Sequence, residues 1–499
     1  MYRTISAIGL GFLVLLGQPA ETAANEWLLP ADIEADVGLL ERSLQHLHPG
    51  YQRFTDSTAL ADGWADIVAT ANAANGMSQA DLYLAVSRHL TTIRCNHTKA
   101  ELPANLVAER RITPTYLPFR WQLIGPDRRA VVVASSVEVS IRSGDELVAI
   151  DGKPIDALIE TFVGFIPADG YADAARYPEV AFSSEFPGGA IEHFGALTSA
   201  FADTVEVEFI GADGTAFSRT VKRLSGDQWR TMLQDTGGFY RNFKDAVELE
   251  FVAPEIARLS VATFVNYRQP VQPAVVYDPI FRAIAEQDID VLVLDLRGNG
   301  GGSDNAQLGL LERLLLSPTR LMRDVVAAAN NLGPATGHVE SWDQRALAMA
   351  PDDYEPLENG LFRVNPDWVG RNVEWLPPHP LAFQGELIVL VDSSLSSGSN
   401  HLVSRLQDRP GLTLVGSDGG GNAAGATAGI LFTLRLPASG IGVRIPAWRQ
   451  TIDRDGLSDG QPVRPDLRVE PTLATWRRGE DPVLEAALVQ AHKRRRASR

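Results

Sequence analysis

A serine-rich turn between an apolar strand and a helix is the first feature of the sequence that suggests chemistry. Residues 386–391 are almost continuously apolar, as a strand buried on both faces should be, and a helical pattern begins at Gly398. Ser397 therefore lies where a sharp turn exposes a side chain and where unpaired helix N–H groups can stabilise an oxyanion. Serine is also a preferred helix cap, so Ser396, Ser397 or Ser399 can instead serve only as a cap.

A glycine-rich turn is the second such feature. Arg-Gly-Asn-Gly-Gly-Gly at 297–302 follows another apolar strand, and so many glycines destabilise a chain unless its backbone needs unusual angles or close approach. A phosphate-binding loop would need a Gly-Lys-Ser/Thr ending or Gly-x-Gly-x-x-Gly spacing, and this turn has neither. The alternative is an oxyanion hole, formed opposite Ser397 by the backbone N–H groups of Gly398, Gly301 and Gly302.

Together the two turns resemble the paired signature of the tail-specific (C-terminal-processing) and tricorn-type serine peptidases. Residues 144–155 are similar to the end of the PDZ-like domain of that family, and residues 456–471 are similar to its closing segment. The resemblance spans most of the chain, up to about residue 470. It implies an α/β fold with a crotonase-like catalytic domain, and hydrolysis of peptide bonds through an acyl-enzyme on Ser397.

The residue expected to act as general base differs from the one that the tail-specific branch of the family uses. That branch uses a lysine in a Gly-Lys-Gly turn, whereas the corresponding stretch here has no lysine and carries Asn422 at about that place. The tricorn-like branch uses a histidine that follows the N-terminal helices, and His97 in Cys-Asn-His-Thr matches it. The resemblance therefore implies the histidine-base branch with His97 as the base. His401, on the helix after Ser397, is the main competitor, and a merely packed His97 stays open.

A histidine base needs an acceptor that fixes its tautomer and stabilises the imidazolium. In tricorn-type relatives a glutamate ahead of a Val-x-Pro-Asp segment contributes to this role. Counting back from Asp466 puts Asp459 at the same place in this sequence. Asp455 is a second candidate, and either carboxylate can instead be a solvated loop acid.

Other kinds of chemistry have less support in the sequence. Cys95 lies two residues before His97, but a cysteine is more often a small buried hydrophobe than a thiol nucleophile. There is no His-Glu-x-x-His motif and no cysteine cluster, so we predict neither a metal nor another cofactor. Asp295 and Arg297, beside the glycine-rich turn, can form a structural ion pair.

The elements that must position these residues follow from the hydrophobic periodicity. Apolar residues at three- and four-residue spacing predict helices from about 31 to 90, and alternation from about 114 predicts strands, with an insertion at 158–199. After about 227, strands and helices alternate. We predict five regions: a signal peptide at 1–24, a helical domain at 25–105, a PDZ-like domain with the insertion at 106–226, a crotonase-like serine peptidase domain at 227–485, and a basic tail at 486–499.

Composition and the N-terminal residues suggest the compartment and the partners. The net charge of −17 argues against a nucleic-acid partner, because phosphates would be repelled. A short basic start, an apolar run of about thirteen residues and small residues near Ala24 are typical of a secretory signal peptide, with an uncleaved anchor as the alternative. We therefore expect export to the periplasm, no membrane span after cleavage, and a polypeptide substrate. The oligomeric state is not predicted.

Two other functions are compatible with the same fold. Relatives that resemble the interphotoreceptor retinoid-binding protein bind lipids without catalysis, and two differences favour such a lipid- or peptide-binding protein: the missing lysine, and Asn400 where the family often has glutamate. A hydrolase of small esters or amides is the third possibility. The function we predict is an exported serine peptidase that uses Ser397 and His97.

Overall fold

A computed structural model of the chain describes residues 25–136, 140–183, 185–198, 202–236 and 241–498. The predicted signal peptide lies outside the described residues. In the part of the chain that is described, no helix is both long enough and apolar enough to cross a membrane.

The first region is helical, as predicted. Pro30 begins the first helix, where its missing N–H has no cost, and the Ser78 side chain caps the third helix by accepting from the Asp81 amide at 3.0 Å. The helices are α1 (Pro30–Leu47), α2 (Ser57–Ala73), α3 (Gln79–Leu90) and α4 (Ala104–Ile112), with short strands β1 (Trp27–Leu28), β2 (Met77–Ser78) and β3 (Ala100–Glu101). His97 lies in the turn between α3 and β3.

The second region is an antiparallel sheet in the order β4-β5-β6-β8-β9, with β7 paired to β6. Asp151 and Gly152 both have positive φ, at 49° and 67°, and form the predicted hairpin turn between β6 and β7. The strands are β4 (Phe119–Ile124), β5 (Arg129–Ser135), β6 (Glu146–Ile150), β7 (Lys153–Pro154), β8 (Thr204–Ile210) and β9 (Ala216–Lys222). The helices are α5 (Ile155–Phe162), α6 (Pro178–Ala181), α7 (Ala190–Thr198) and α8 (Gly226–Asp235).

The third region alternates strands and helices. Its strands are β10 (Val247–Ala253), β11 (Ile256–Val261), β12 (Val291–Asp295), β13 (Thr319–Arg320), β14 (Met322–Ala327), β15 (Val339–Glu340), β16 (Tyr354–Pro356), β17 (Phe362–Val364), β18 (Trp375–Leu376), β19 (Glu386–Val391), β20 (Leu412–Gly416), β21 (Thr427–Arg435), β22 (Gly442–Ile452) and β23 (Leu467–Arg468). Its helices are α9 (Pro273–Glu286), α10 (Asp304–Glu312), α11 (Gln344–Ala348), α12 (Pro366–Val369), α13 (Ser397–Leu406), α14 (Leu473–Arg477) and α15 (Pro482–Ser498).

These strands form two larger sheets. One has the order β10-β11-β12-β19-β20-β23 and is parallel from β11 onward, as the buried apolar strands predicted. The other has the order β15-β21-β22-β14-β17-β16, and β3 joins it by pairing with β22. Because β3 follows the His97 turn closely in the chain, this pairing fixes that turn against the third region.

Both faces of the parallel sheet are covered, as parallel sheets require. Alternate side chains of β12 face different cores, so that Leu292 belongs to the large core and Val293 to a smaller one. Val483, Ala487 and Ala491 of α15 complete the smaller core. The sequence from residue 486 was expected to form a basic tail, but it continues this helix, because the four-residue spacing of these apolar side chains gives α15 a face to bury.

Candidate active site

Ser397 is the first residue of α13, directly beyond the end of the buried strand β19. Its φ is +49°, a left-handed conformation that is unfavourable for a residue with a Cβ, and its side chain is only partly buried. The N-cap residue is Ser396, which makes no side-chain cap hydrogen bond, and Ser397 is already the first residue of the helix. The alternative that Ser397 serves only as a helix cap is therefore wrong. Its hydroxyl group is instead left without a capping role, on a side chain that is only partly buried.

The glycine-rich turn after β12 packs directly against the Ser397 turn. The Gly298 amide donates to the Asp392 carboxylate at 3.1 Å, and Ser396 Oγ donates to the Gly300 carbonyl at 3.2 Å. A Cβ built on Gly301 would lie 2.9 Å from Ser397 Cβ, which shows how closely the two backbones approach. The sequence placed these turns on neighbouring strands, and the structure brings them into contact.

Asn299 holds the glycine-rich turn in shape. Its side chain is fully buried, donates to the Val261 carbonyl at 2.8 Å and accepts from the Gly301 amide at 2.9 Å, while its own carbonyl accepts from Ser399 Oγ. The Gly301 amide, which we expected to hold an oxyanion, is thus already paired. In the described part of the chain the amides of Gly398 and Gly302 have no hydrogen-bond partner, so these two remain available as donors.

Gly301→Ala is expected to lower kcat by on the order of 10²–10³-fold while the protein still folds, because it displaces the backbone beside Ser397, where we expect the oxyanion to bind. The new Cβ would lie 2.8 Å from the Gly398 nitrogen and 3.0 Å from the Ser396 carbonyl oxygen, on a residue with φ of +96°. Gly300→Ala is the matched control, since its Cβ would meet nothing nearer than Ser396 Oγ at 3.8 Å. Steady-state kinetics and thermal unfolding of both variants test this, and equal losses of kcat would contradict it.

His97 lies close to the helix that carries Ser397. Ala426 donates its amide to His401 Nε2 on α13 at 3.4 Å, and the next carbonyl, of Thr427, accepts from the Cys95 thiol at 3.4 Å. Burial lowers the pKa of His401 to about 3, and a positive charge on His97 would lower that pKa further. His401 is buried and its Nε2 already accepts a hydrogen bond, whereas His97 is only partly buried. His97 is therefore the more accessible of the two histidines.

The surroundings of His97 keep it neutral. Burial lowers the pKa of His97 below its ordinary value of 6.5; the Asp169 charge opposes this, Lys99 and Arg444 reinforce it, and Glu185 opposes it. The Nδ1 atom of His97 is buried and unpartnered among the described residues, and no hydrogen bond joins the ring to Ser397. Such contacts are often long in a protein without substrate.

Two carboxylates, those of Asp459 and Asp169, are candidates to support His97, and they interact with different residues. Asp459 Oδ1 forms an ion pair with Arg53 at 2.5 Å and accepts from Asn422 Nδ2 at 2.8 Å. Although burial raises the pKa of Asp459, these hydrogen bonds hold it below its ordinary value. Asp169, in the segment predicted to be an insertion, is the carboxylate whose charge acts most strongly on His97. No motif marked Asp169 in the sequence, because it approaches His97 only through tertiary packing.

Three other residues singled out in the sequence have structural partners. Burial raises the pKa of the Cys95 thiol to about 12, so the thiol is protonated at neutral pH and is no nucleophile. Asn422 is buried, and its Oδ1 accepts from the Gly460 amide at 3.0 Å. Arg297 pairs with both Asp295 and Asp481 at 2.7 Å, which confirms the structural ion pair.

A groove of about 770 Å³ runs beside the two turns, and its lining residues include neither Ser397 nor His97. Strand β4 forms one wall through Gln122 and Leu123, and the carboxyl ends of the parallel strands form the other, including Gly298 and Ser393. Within the described residues β4 pairs only with β5, so its other edge is free. The groove can therefore receive an extended chain along a strand edge.

Comparisons with known proteins agree with this geometry. Residues 256–469, from β11 to the end of the closing segment, match the family described as Peptidase family S41. A mutant of CPAF aligns over 89% of this chain and 94% of its own, with 15% identity and a TM-score of 0.62. Mature CPAF complexed with lactacystin aligns over 89% and 95%, with 15% identity and a TM-score of 0.60. At this identity the likeness establishes the fold alone.

Among curated proteins, none matches the chain at a significant level. The family match nevertheless contains both turns of the site, the strands that precede them and the helix that begins at Ser397. Residues 256–469 therefore have the sequence pattern of Peptidase family S41, and the chain is a serine-type peptidase.

Proposed function

We propose that the protein is an exported peptidase in which Ser397 is the nucleophile and His97 is the general base. The observation that carries this proposal is the left-handed Ser397, at φ +49°, packed against the backbone of Gly301. A protein does not keep a Cβ-bearing residue in this conformation without compensation, and strained residues of this kind cluster at active sites. A helix start with free amides beside the hydroxyl supplies what acyl transfer needs.

In the proposed reaction, His97 takes the proton of Ser397 Oγ as that oxygen bonds to the carbonyl carbon of the scissile peptide. The amides of Gly398 and Gly302 donate to the oxyanion of the tetrahedral intermediate. His97 then gives its proton to the departing amine, and the C–N bond breaks to leave an acyl group on Ser397. Water repeats the sequence, with His97 as base, and releases the acid.

The carboxylate that we propose to assist His97 is Asp169 and not Asp459. Asp169 is 3% exposed, its Oδ2 has no hydrogen-bond partner among the described residues, and its charge stabilises a protonated His97. Asp459 is half-exposed and neutralised by Arg53, which leaves little field at His97. Arg53, Asp459 and Asn422 together have a structural role in joining the N-terminal region to the closing segment.

The substrate that fits best is an extended polypeptide in the groove. Strand β4 offers free backbone N–H and C=O groups along one wall, and adding a strand is how PDZ-like domains hold peptides. We propose that the sheet of strands β4 to β9 forms a PDZ-like domain. We propose that the parallel sheet belongs to a crotonase-like catalytic domain. The signal-like residues 1–24 support export to the periplasm.

Labelling with a fluorophosphonate probe tests the proposal. We expect one label per chain, mapped to Ser397 by mass spectrometry, and blocked hydrolysis of an unfolded protein substrate. Labelling at Ser397 with turnover of small esters only would replace the peptidase by a small-substrate hydrolase. No labelling at any pH around neutrality, combined with binding of lipid or peptide, would favour the non-catalytic alternative.

A further inference from the structure

Three potential metal ligands from different parts of the chain meet beside the active site. Cys95 and His97 lie in the turn after α3, and Asp169 comes from the segment between α5 and α6. The Cys95 Sγ, one ring nitrogen of His97 and one carboxylate oxygen of Asp169 all lie within 4.8 Å of one another. Cys95 and Asp169 are each 3% exposed, and His97 is partly buried.

Two of the three ligands lack the partners that buried polar groups need. In the described part of the chain, His97 Nδ1 and Asp169 Oδ2 are buried and make no hydrogen bond. The other oxygen, Asp169 Oδ1, accepts from the Asn96 amide at 2.7 Å, which fixes the carboxylate in its position. A buried polar atom without a partner is destabilising. These two atoms belong to residues whose possible ligand atoms lie within 4.8 Å of one another, so they point to a missing ligand.

We propose that Cys95, His97 and Asp169 bind one Zn²⁺ ion. Zinc is held by thiolate, imidazole and carboxylate ligands at about 2.0–2.3 Å, and three protein ligands leave its fourth tetrahedral position open. The thiolate selects against Mg²⁺ and Ca²⁺, which prefer oxygen ligands. On binding, the Cys95 S–H bond breaks, its proton goes to solvent, and the electron pair forms the S–Zn bond.

Zinc at this cluster inhibits the peptidase. A neutral imidazole has a single ring lone pair, because its other nitrogen carries hydrogen. An ion that takes this lone pair leaves His97 unable to accept the proton of Ser397. The inhibition rests on the proposed function of His97, whereas the metal binding does not.

Titration of the purified chain with Co²⁺ tests the site directly. We expect a thiolate-to-Co²⁺ charge-transfer band in the near ultraviolet that saturates at one ion per chain and disappears when Zn²⁺ is added. Cys95 is the only cysteine in the sequence, so this band identifies the ligand without any variant. Cys95→Ser should abolish the band and Asp169→Asn should weaken Co²⁺ binding. Asp173→Asn, a nearby carboxylate that pairs with Arg94, is the matched control and should change neither.

Zn²⁺ should also lower the hydrolysis rate of the wild-type chain by on the order of 10²-fold, reversibly with a chelator. Each variant is compared with its own metal-free rate, and Cys95→Ser should be much less sensitive. Absence of the cobalt band at saturating Co²⁺ overturns the site. A band that appears without any inhibition supports the site and contradicts His97 as the base. A band from a chain with no hydrolysis under any condition also supports the site, while the proposed function fails.

Discussion

Ser397→Ala is expected to lower kcat/KM for peptide hydrolysis by about 10⁴-fold or more, with the fold intact. Removing the nucleophile of a serine peptidase leaves only the residual catalysis from binding and the oxyanion hole. The helix does not use this hydroxyl as its cap, because Ser396 and not Ser397 is the N-cap residue. Thermal unfolding of the variant should therefore match that of the wild type, while hydrolysis of an unfolded protein disappears.

Ser397→Gly distinguishes a strained nucleophile from a structural serine. Glycine adopts the φ of +49° freely, so this variant should be inactive yet more stable by roughly 0.5–1 kcal/mol. If Ser397 were a cap, Ser397→Ala would instead destabilise the protein by about 1 kcal/mol, and Ser397→Gly would destabilise it by a few tenths of a kcal/mol and not stabilise it. Ser394→Ala, which removes a hydroxyl from the same turn, controls for the loss of a polar group. Hydrolysis by Ser397→Ala close to the wild-type rate would contradict the assignment.

The parts of the site that the sequence revealed are those with local signals. An apolar run predicts a strand buried on both faces, and glycines at 298–302 predict an unusual backbone, so both turns were predictable before the structure. The left-handed conformation of Ser397 was not predictable, because serine by itself disfavours it. The Gly301 backbone that packs against this turn follows a different strand, and a Cβ built on Gly301 would lie 2.9 Å from Ser397 Cβ.

The residues that the sequence did not reveal act over long separations in the chain. Asp169 reaches His97 from a segment that looked like an insertion, and no spacing rule connects the two residues. Asp459 was located by counting from Asp466. Counting along the sequence cannot show that Arg53, in the N-terminal helical region, pairs with the Asp459 carboxylate in place of a histidine. Asn299 was hidden among glycines, although its buried amide side chain determines which of their N–H groups remain free.

His97→Ala is expected to lower kcat/KM about as much as Ser397→Ala does, and the double variant should be no worse than either single one. Nucleophile and base act as a unit, so removing one leaves the other without a role. His401→Ala is the less informative comparison. The His401 ring lies on the buried side of α13, and its loss would destabilise the protein. If the losses of kcat/KM in the two single variants instead added up in the double variant, His97 would not act together with Ser397.

The pH profile decides which carboxylate supports His97. The base must be neutral, so kcat/KM should fall as the pH drops through the His97 pKa, which lies below 6.5 because the ring is buried. Asp169 raises that pKa, and Asp169→Asn should therefore move the acid limb of kcat/KM to still lower pH while also reducing its plateau. Asp459→Asn should leave the limb in place and lower stability instead, because it breaks the pair with Arg53. If the acid limb of the kcat/KM profile shifted in Asp459→Asn and not in Asp169→Asn, Asp459 would be the carboxylate that supports His97.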